Sequence, residues 1–258
     1  MTILPLGTNG FFPSFGRASA CFAIRSGKRL IVLDAGSGLF RFAEPEGKML
    51  LDGVDYIDLF LSHYHLDHTF GFYAAFTFFK GKDVTVYGMT DRKVFEDITR
   101  QGYFPINYQK EYGSYRWVTI NEGNFETGNY SVNIRNQYHR GEGSLAFRFD
   151  FGLAYVTDSE PTSESVRFVQ GVPLLLHEHE VLPNETYSPG KKLEDYAGGG
   201  HVSTIGAALI AKQGKVGKLV LIHHLPVLDE KKLKEAETLA RSIFPKTFLA
   251  EDLKPIHF

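Results

Sequence analysis

Six consecutive residues, His63-Tyr64-His65-Leu66-Asp67-His68, bring three imidazoles and a carboxylate into one short stretch. Neutral imidazole nitrogen and carboxylate oxygen are the donors that suit zinc and similar transition ions. The apolar run Tyr56-Ile57-Asp58-Leu59-Phe60-Leu61 before it reads as a buried strand, and the aromatic segment 69–80 after it reads as a helix. A tight strand-to-helix loop can point four donors into one pocket. An ordinary solvated turn has little structural use for so many ligating side chains, so the stretch reads as a metal site.

Further candidate donors stand where strands are expected to end. His139 follows a strand over 131–136, Asp158 closes one over 153–157, and His223 follows one over 219–222. Strand ends can converge on one edge of a layered fold. Each of these residues alone reads as a satisfied polar group, but three of them together with the cluster point to chemistry. His224 adjoins His223, and either can be the last donor. His177-Glu178-His179 ends another apolar run, 173–176.

The elements that must position these groups follow from the hydrophobic pattern. Further strands are expected over 3–6, 21–25, 29–34, 57–62, 84–87 and 145–150, and helices over 39–43, 69–79, 91–101, 163–170, 204–213 and 230–244. The last helix carries Leu233, Ala236, Leu239, Ala240 and Ile243 on one face. Segment 69–79 is aromatic on nearly every face, which predicts a helix enclosed in the fold or shared with a second copy in a homodimer. The stretch 102–108, with Tyr103 and Phe104, is expected to lie beside the pocket and stack a base, 183–200 to be a surface loop, and 254–258 to close a sheet edge. Each half runs strands, helix, strands, helix with no linker between. The chain thus reads as α+β, a single domain over 1–258 of two similar halves, with sheets inside and helices outside.

Composition narrows the classes. The chain has 258 residues, is 43% hydrophobic and carries a net charge of −2, with Lys and Arg scattered rather than clustered. That argues against a dedicated nucleic-acid surface. The one cysteine, Cys21, excludes an intrachain disulfide and fits a reducing compartment. Neither a signal-peptide pattern nor an apolar stretch of membrane length is evident. The expectation is a soluble cytoplasmic protein with no membrane partner.

The order His-x-His-x-Asp-His, then His139, Asp158 and His223, resembles the metallo-β-lactamase superfamily, and within it the branch holding ribonuclease Z and the cyclic phosphodiesterases. Leu33-Asp34-Ala35-Gly36 resembles the family's strand before its first helix, and Tyr155-Val156-Thr157-Asp158-Ser159 its strand with the bridging aspartate. Gly200-His201-Val202-Ser203-Thr204 and Leu219-Val220-Leu221-Ile222-His223-His224 resemble two further elements of that branch, so the likeness covers nearly the whole chain. It implies a four-layer αβ/βα sandwich and two divalent metal ions, zinc, with manganese or iron as alternatives. It implies that His63, His65 and His139 hold one ion, that Asp67, His68 and His223 hold the other, and that Asp158 bridges both. His177-Glu178-His179 is similar to a segment behind the ligands, with Glu178 orienting a metal-bound imidazole. Asp67 and His201 are the implied catalytic residues, Asp67 accepting a proton from the attacking water and His201 facing the leaving group. Two such ions about 3.5–4 Å apart lower the pKa of a shared water towards about 7 and clamp a phosphoryl oxygen.

The function expected on this basis is metal-dependent hydrolysis of a small, cyclic-nucleotide-like phosphodiester. Ribonuclease Z-like proteins often carry a protruding arm between the residues matching His139 and Asp158, and this interval is too short for one. With the low net charge, that makes nucleic acid the weaker substrate. The alternatives are a ribonuclease Z-like RNA endonuclease, or a hydrolase of lactones, thioesters or sulfate esters. Redox di-iron relatives place Glu where His65 stands and add a flavin domain, and a decayed binding module would have lost donors. Ser159-Glu160-Pro161 and His224-Leu225-Pro226 depart from the usual pattern near the leaving group.

Overall fold

The computed structural model describes residues 1–99, 107–180, 182 and 184–258. Within it the chain forms two compact units, residues 1–120 with 251–257, and residues 121–250 with Phe258.

The first unit is built on one mixed sheet. Strands β1 (Thr2–Gly7), β2 (Cys21–Ser26) and β3 (Arg29–Leu33) run antiparallel, while β4 (Tyr56–Phe60), β5 (Asp83–Gly88) and β6 (Arg116–Thr119) continue from β3 in parallel. The C-terminal strand Ile256–His257 pairs with β1 at the sheet edge, as the sequence suggests for that segment. Parallel neighbours need crossovers that return over a face of the sheet. Here those are a 3-10 helix Ser37–Ala43 with α1 (Pro45–Leu51), then α2 (Leu66–Thr69), a 3-10 turn Phe70–Ala74 and α3 (Ala75–Phe78), then α4 (Lys93–Ile98) and α5 (Tyr108–Tyr112). Leu30, Val32, Leu59 and Val86 pack with Phe42, Phe72 and Phe79 in this unit's core.

The second unit repeats the plan. Strands β7 (Gly123–Glu126), β8 (Ser131–Gln137), β9 (Ser144–Phe149) and β10 (Leu153–Val156) are antiparallel; β11 (Leu174–Glu178), β14 (Lys218–Ile222) and β15 (Thr247–Leu249) add on in parallel to β10. A two-stranded ribbon of β12 (Ala197–Gly198) and β13 (His201–Val202) stands apart. Helix α6 (Ser163–Phe168) is closed by a Thr162–Ser165 capping box, α7 (Thr204–Gln213) by Ser203 and α8 (Glu230–Ile243) by Asp229. On α8 the buried residues are Leu233, Ala236, Glu237, Ala240 and Ile243. Leu239 of the expected apolar stripe is only partly buried.

Two mixed sheets with crossover helices make the α+β class plain. The expected helix 69–79 is broken. The amide of Gly71 bonds the Ala35 carbonyl at 2.8 Å, and its backbone lies so close to Gly36 that a Cβ would stand 2.2 Å from the Gly36 carbonyl oxygen. That contact interrupts the α-turns. Nor is the segment enclosed, since Phe70 and Tyr73 are exposed and gather with Phe40 into one ring cluster. Helix α1 begins at Pro45, which presets the first helical φ. The proposed base-stacking residues Tyr103 and Phe104 and the end of the expected helix 91–101 lie outside the described residues. Among the described residues, no helix is long and apolar enough to cross a membrane.

Candidate metal-binding site

In the first unit the histidine loop leaves the C-terminal end of β4. Asp34, one residue past β3, is fully buried and adopts a left-handed backbone with φ 58°. Its Oδ1 accepts the Ser62 amide at 2.7 Å; its Oδ2 accepts the Ser62 hydroxyl at 2.9 Å and His68 Nδ1 at 2.8 Å. Ser62 Oγ in turn accepts from His63 Nδ1 at 3.1 Å. One carboxylate therefore keeps the protons of His63 and His68 on Nδ1, directly or through a hydroxyl, and leaves both Nε2 lone pairs for a ligand. The rings of His63 and His65 have centroids 4.5 Å apart, those of His63 and His68 4.3 Å. Asp67 Oδ2 lies 3.3 Å from His68 Nε2 and accepts the Phe11 amide at 2.8 Å. Asp34 is the functional residue that sequence reading quoted only as part of a motif.

In the second unit the donors stand at one edge, at or just past the C-terminal ends of β8, β10, β11 and β14. His139 Nδ1 donates to the Gly200 carbonyl at 2.9 Å, so its Nε2 carries the lone pair, 3.5 Å from Asp158 Oδ1. His223 Nε2 lies 3.3 Å from Asp158 Oδ2. Asp158 thus has an imidazole nitrogen at each oxygen. Two donors about 2.1 Å from a tetrahedral ion are separated by about 3.4 Å. The separations at Asp158, and that of His68 from Asp67, match this value. Both donor groups therefore suit divalent metal. Asp158, Glu178, His201 and His223 also offer ligand atoms all within 4.8 Å of one another.

Glu178 faces two imidazoles, His201 most closely. Its Oε1 accepts the Ser159 amide, and its Oε2 accepts His201 Nδ1 at 2.6 Å, against 3.8 Å to His223 Nδ1. Burial disfavours a charged His201, but the carboxylates of Glu178, Asp158 and Glu180 outweigh it and raise its pKa to about 9. His139 goes the other way: burial lowers its pKa despite Asp158.

His224 is occupied elsewhere. Its Nε2 bonds the Ala250 carbonyl at 2.9 Å and its Nδ1 meets His179 Nε2 at 3.0 Å, while His179 Nδ1 meets Thr204 Oγ1 at 3.0 Å. Burial, then the neighbouring imidazoles, holds His179 well below the usual histidine range. Burial pushes His177, whose Nε2 has no hydrogen-bond partner among the described residues, down to about 4. Folded-state values below the unfolded 6.5 mean that the unfolded chain binds more protons in acid. The stabilisation is complete above about pH 6.5 and is lost as pH falls from there towards about 4, by about 3 kcal/mol for His177 alone. In metal-stripped protein the urea midpoint should fall over that window, and fall less in His177→Leu. Equal pH slopes for the two proteins would contradict this.

The arrangement defines a class. The Beta-lactamase superfamily domain matches residues 29–224, and the chain belongs to that superfamily. A "Ribonuclease Z" of Metallosphaera sedula is 34% identical over 103 residues, 39% of this chain and 31% of that protein, so this match spans less than a third of that relative. A "Ribonuclease Z" of Pyrococcus horikoshii is 24% identical over 306 aligned positions, covering 98% of this chain and 95% of the relative. The crystal structure of a diphosphatase from the PhnP family shares the fold, with a TM-score of 0.72 at 16% identity over 100% of this chain and 96% of that one. The protein is thus a hydrolase of this superfamily with donor clusters fit for metal.

Proposed function

We propose that the protein hydrolyses phosphodiester bonds in RNA with two divalent metal ions. The reading joins the donors of both units into one centre: His63, His65 and His139 for one ion, Asp67, His68 and His223 for the other, Asp158 shared. The chain order of the family resemblance supports that joining. The observation that carries it is Asp158, with His139 and His223 on its two oxygens at separations suited to metal ligands. Bound there, the ions supply Lewis acidity and a water acidified towards neutral pH. Asp67 accepts that water's proton. His201, held by Glu178 through Nδ1 and doubly protonated below its raised pKa, is the proposed proton donor to the leaving oxygen. Zinc is the proposed native metal, and the buried single cysteine agrees with a reducing, cytoplasmic setting.

The curated relatives shift the substrate from the small cyclic diester expected from sequence towards RNA, since those spanning nearly the whole chain are ribonucleases. A small diester remains the second reading, favoured by one observation. The interval from His139 to Asp158 is filled by β9, β10 and short turns, and the alignment to the Pyrococcus relative is longer than this chain. A panel of RNA with a 3′ extension, a cyclic nucleotide, bis(p-nitrophenyl) phosphate, a lactone, a thioester and a sulfate ester, with zinc or manganese, separates the readings. Turnover of RNA is the expected result, and turnover confined to non-phosphate esters would end the proposal. His201→Ala should lower kcat by about 100-fold or more with metal content intact. Loss of metal in that variant would assign His201 a different role.

A further inference from the structure

We propose that Arg140 binds a second phosphate of the substrate, on the leaving-group side, and thereby favours polynucleotides over single-phosphate diesters. The inference rests on the phosphodiesterase reading above and adds to it a residue that selects the substrate.

Arg140 directly follows His139 and adopts a left-handed backbone with φ 45°, a costly conformation for a long side chain. It belongs to a tight turn in which the amides of Glu142 and Gly143 both bond the His139 carbonyl, at 3.0 and 3.1 Å. Its aliphatic stem lies across Gly200, where a Cβ would stand 2.6 Å from Arg140 Cγ and 3.4 Å from His139 Nδ1. Its Nε donates to the Gly199 carbonyl at 2.7 Å. Gly199 and Gly200 lead directly into His201. The arginine is thus fastened along the backbone that carries the proposed proton donor.

What remains of the side chain is a cationic fork. A guanidinium has five N–H donors in a plane, and Nε contributes only one. Among the described residues the terminal nitrogens have no hydrogen-bond acceptor and no carboxylate within ion-pair distance. The residue is exposed. Glu180 lies across Gly199, its Oε2 3.8 Å and Arg140 Nη2 3.7 Å from the point a Gly199 Cβ would occupy, yet the two are not paired. A residue needed only to lock two loops is satisfied by its Nε bond. A fixed planar fork with open donors is the group that takes phosphate oxygens two at a time. Its place next to His201 puts that phosphate beyond the leaving oxygen. A polynucleotide has a phosphate there; a cyclic mononucleotide does not.

The test compares a short single-stranded RNA with bis(p-nitrophenyl) phosphate, using wild type, Arg140→Gln and Arg140→Lys, all metal-loaded. The ratio of kcat/KM on RNA to that on the small diester should fall by about tenfold or more in Arg140→Gln, chiefly through KM on RNA, with a smaller fall in Arg140→Lys. The slope of log KM on RNA against log salt should drop by about 0.7 in Arg140→Gln, the share of one phosphate contact on a single strand. An equal loss on both substrates with an unchanged salt slope would overturn the inference while leaving the phosphodiesterase reading intact. Wild-type protein that cleaves neither substrate would overturn both. If Arg140→Gln does not fold, the Arg140→Lys ratio decides, and no change in it counts against phosphate binding by the fork.

Discussion

Asp158→Asn should reduce phosphodiester hydrolysis by about a thousandfold or more and bring bound metal below two equivalents. Asparagine keeps the size of the side chain, tolerates the left-handed φ of 47° and still accepts the Thr157 hydroxyl, now at 2.6 Å from Oδ2. What it removes is the negative charge between the His139 and His223 nitrogens. Several kcal/mol of transition-state stabilisation depend on correctly held ions, and each 1.36 kcal/mol is tenfold in rate. Metal analysis and turnover on bis(p-nitrophenyl) phosphate measure both effects in one preparation. A variant retaining two equivalents of metal and more than a tenth of the activity would remove Asp158 from the centre of the proposal.

Gly36→Ala should destabilise the first unit by about 3 kcal/mol or more and disorder the histidine loop. A Cβ at this position would lie 2.1 Å from the Asp67 carbonyl oxygen, 2.6 Å from Ser19 Oγ and 2.8 Å from the Ala20 carbonyl oxygen. Two of the three obstacles are backbone and cannot rotate away. The same neighbourhood is tied by Ala35 N to His68 O at 2.8 Å and Gly36 N to Ala20 O at 2.9 Å. Relief of the clash must therefore move the loop that carries His63 to His68, at the cost typical of a severely overpacked core. Urea denaturation gives the stability, and metal content of the folded fraction reports the loop. A midpoint within experimental error of wild type would show that this backbone contact is looser than the geometry indicates.

Much of this was readable from residue types and spacing. Buried parallel strands such as Leu30-Ile31-Val32-Leu33 and Leu219-Val220-Leu221-Ile222 are short apolar runs bounded by turns, and donors at the ends of such strands fall on one edge by topology alone. The short mixed-polarity elements were not readable. Gly123–Glu126 and Thr247–Leu249 gain their strand character from pairing with β8 and β14, not from periodicity. The break in the helix over 69–79 comes from a contact between Gly71 and Gly36, residues far apart in sequence, which no local pattern encodes. The supporting carboxylates were half visible. Asp34 stood in a recognisable Leu-Asp-Ala-Gly, yet its partners Ser62 and His68 are joined to it only by the pairing of β3 with β4. The bond of Glu178 to His201 is not legible in the sequence, because the ribbon of β12 and β13 brings that ring to the end of β11.

Asp34, Asp158 and His223 share one backbone trait, φ values of 58°, 47° and 57° within two residues of the ends of their strands. Glycine occupies that region without penalty, whereas any side chain pays for it, aspartate, asparagine and histidine less than most. Losing the chemistry at any of these positions therefore relaxes the main chain. A lineage that abandons hydrolysis has an energetically downhill exit at each, and glycine at those places in a descendant would mark a scaffold retired from catalysis while its architecture endured.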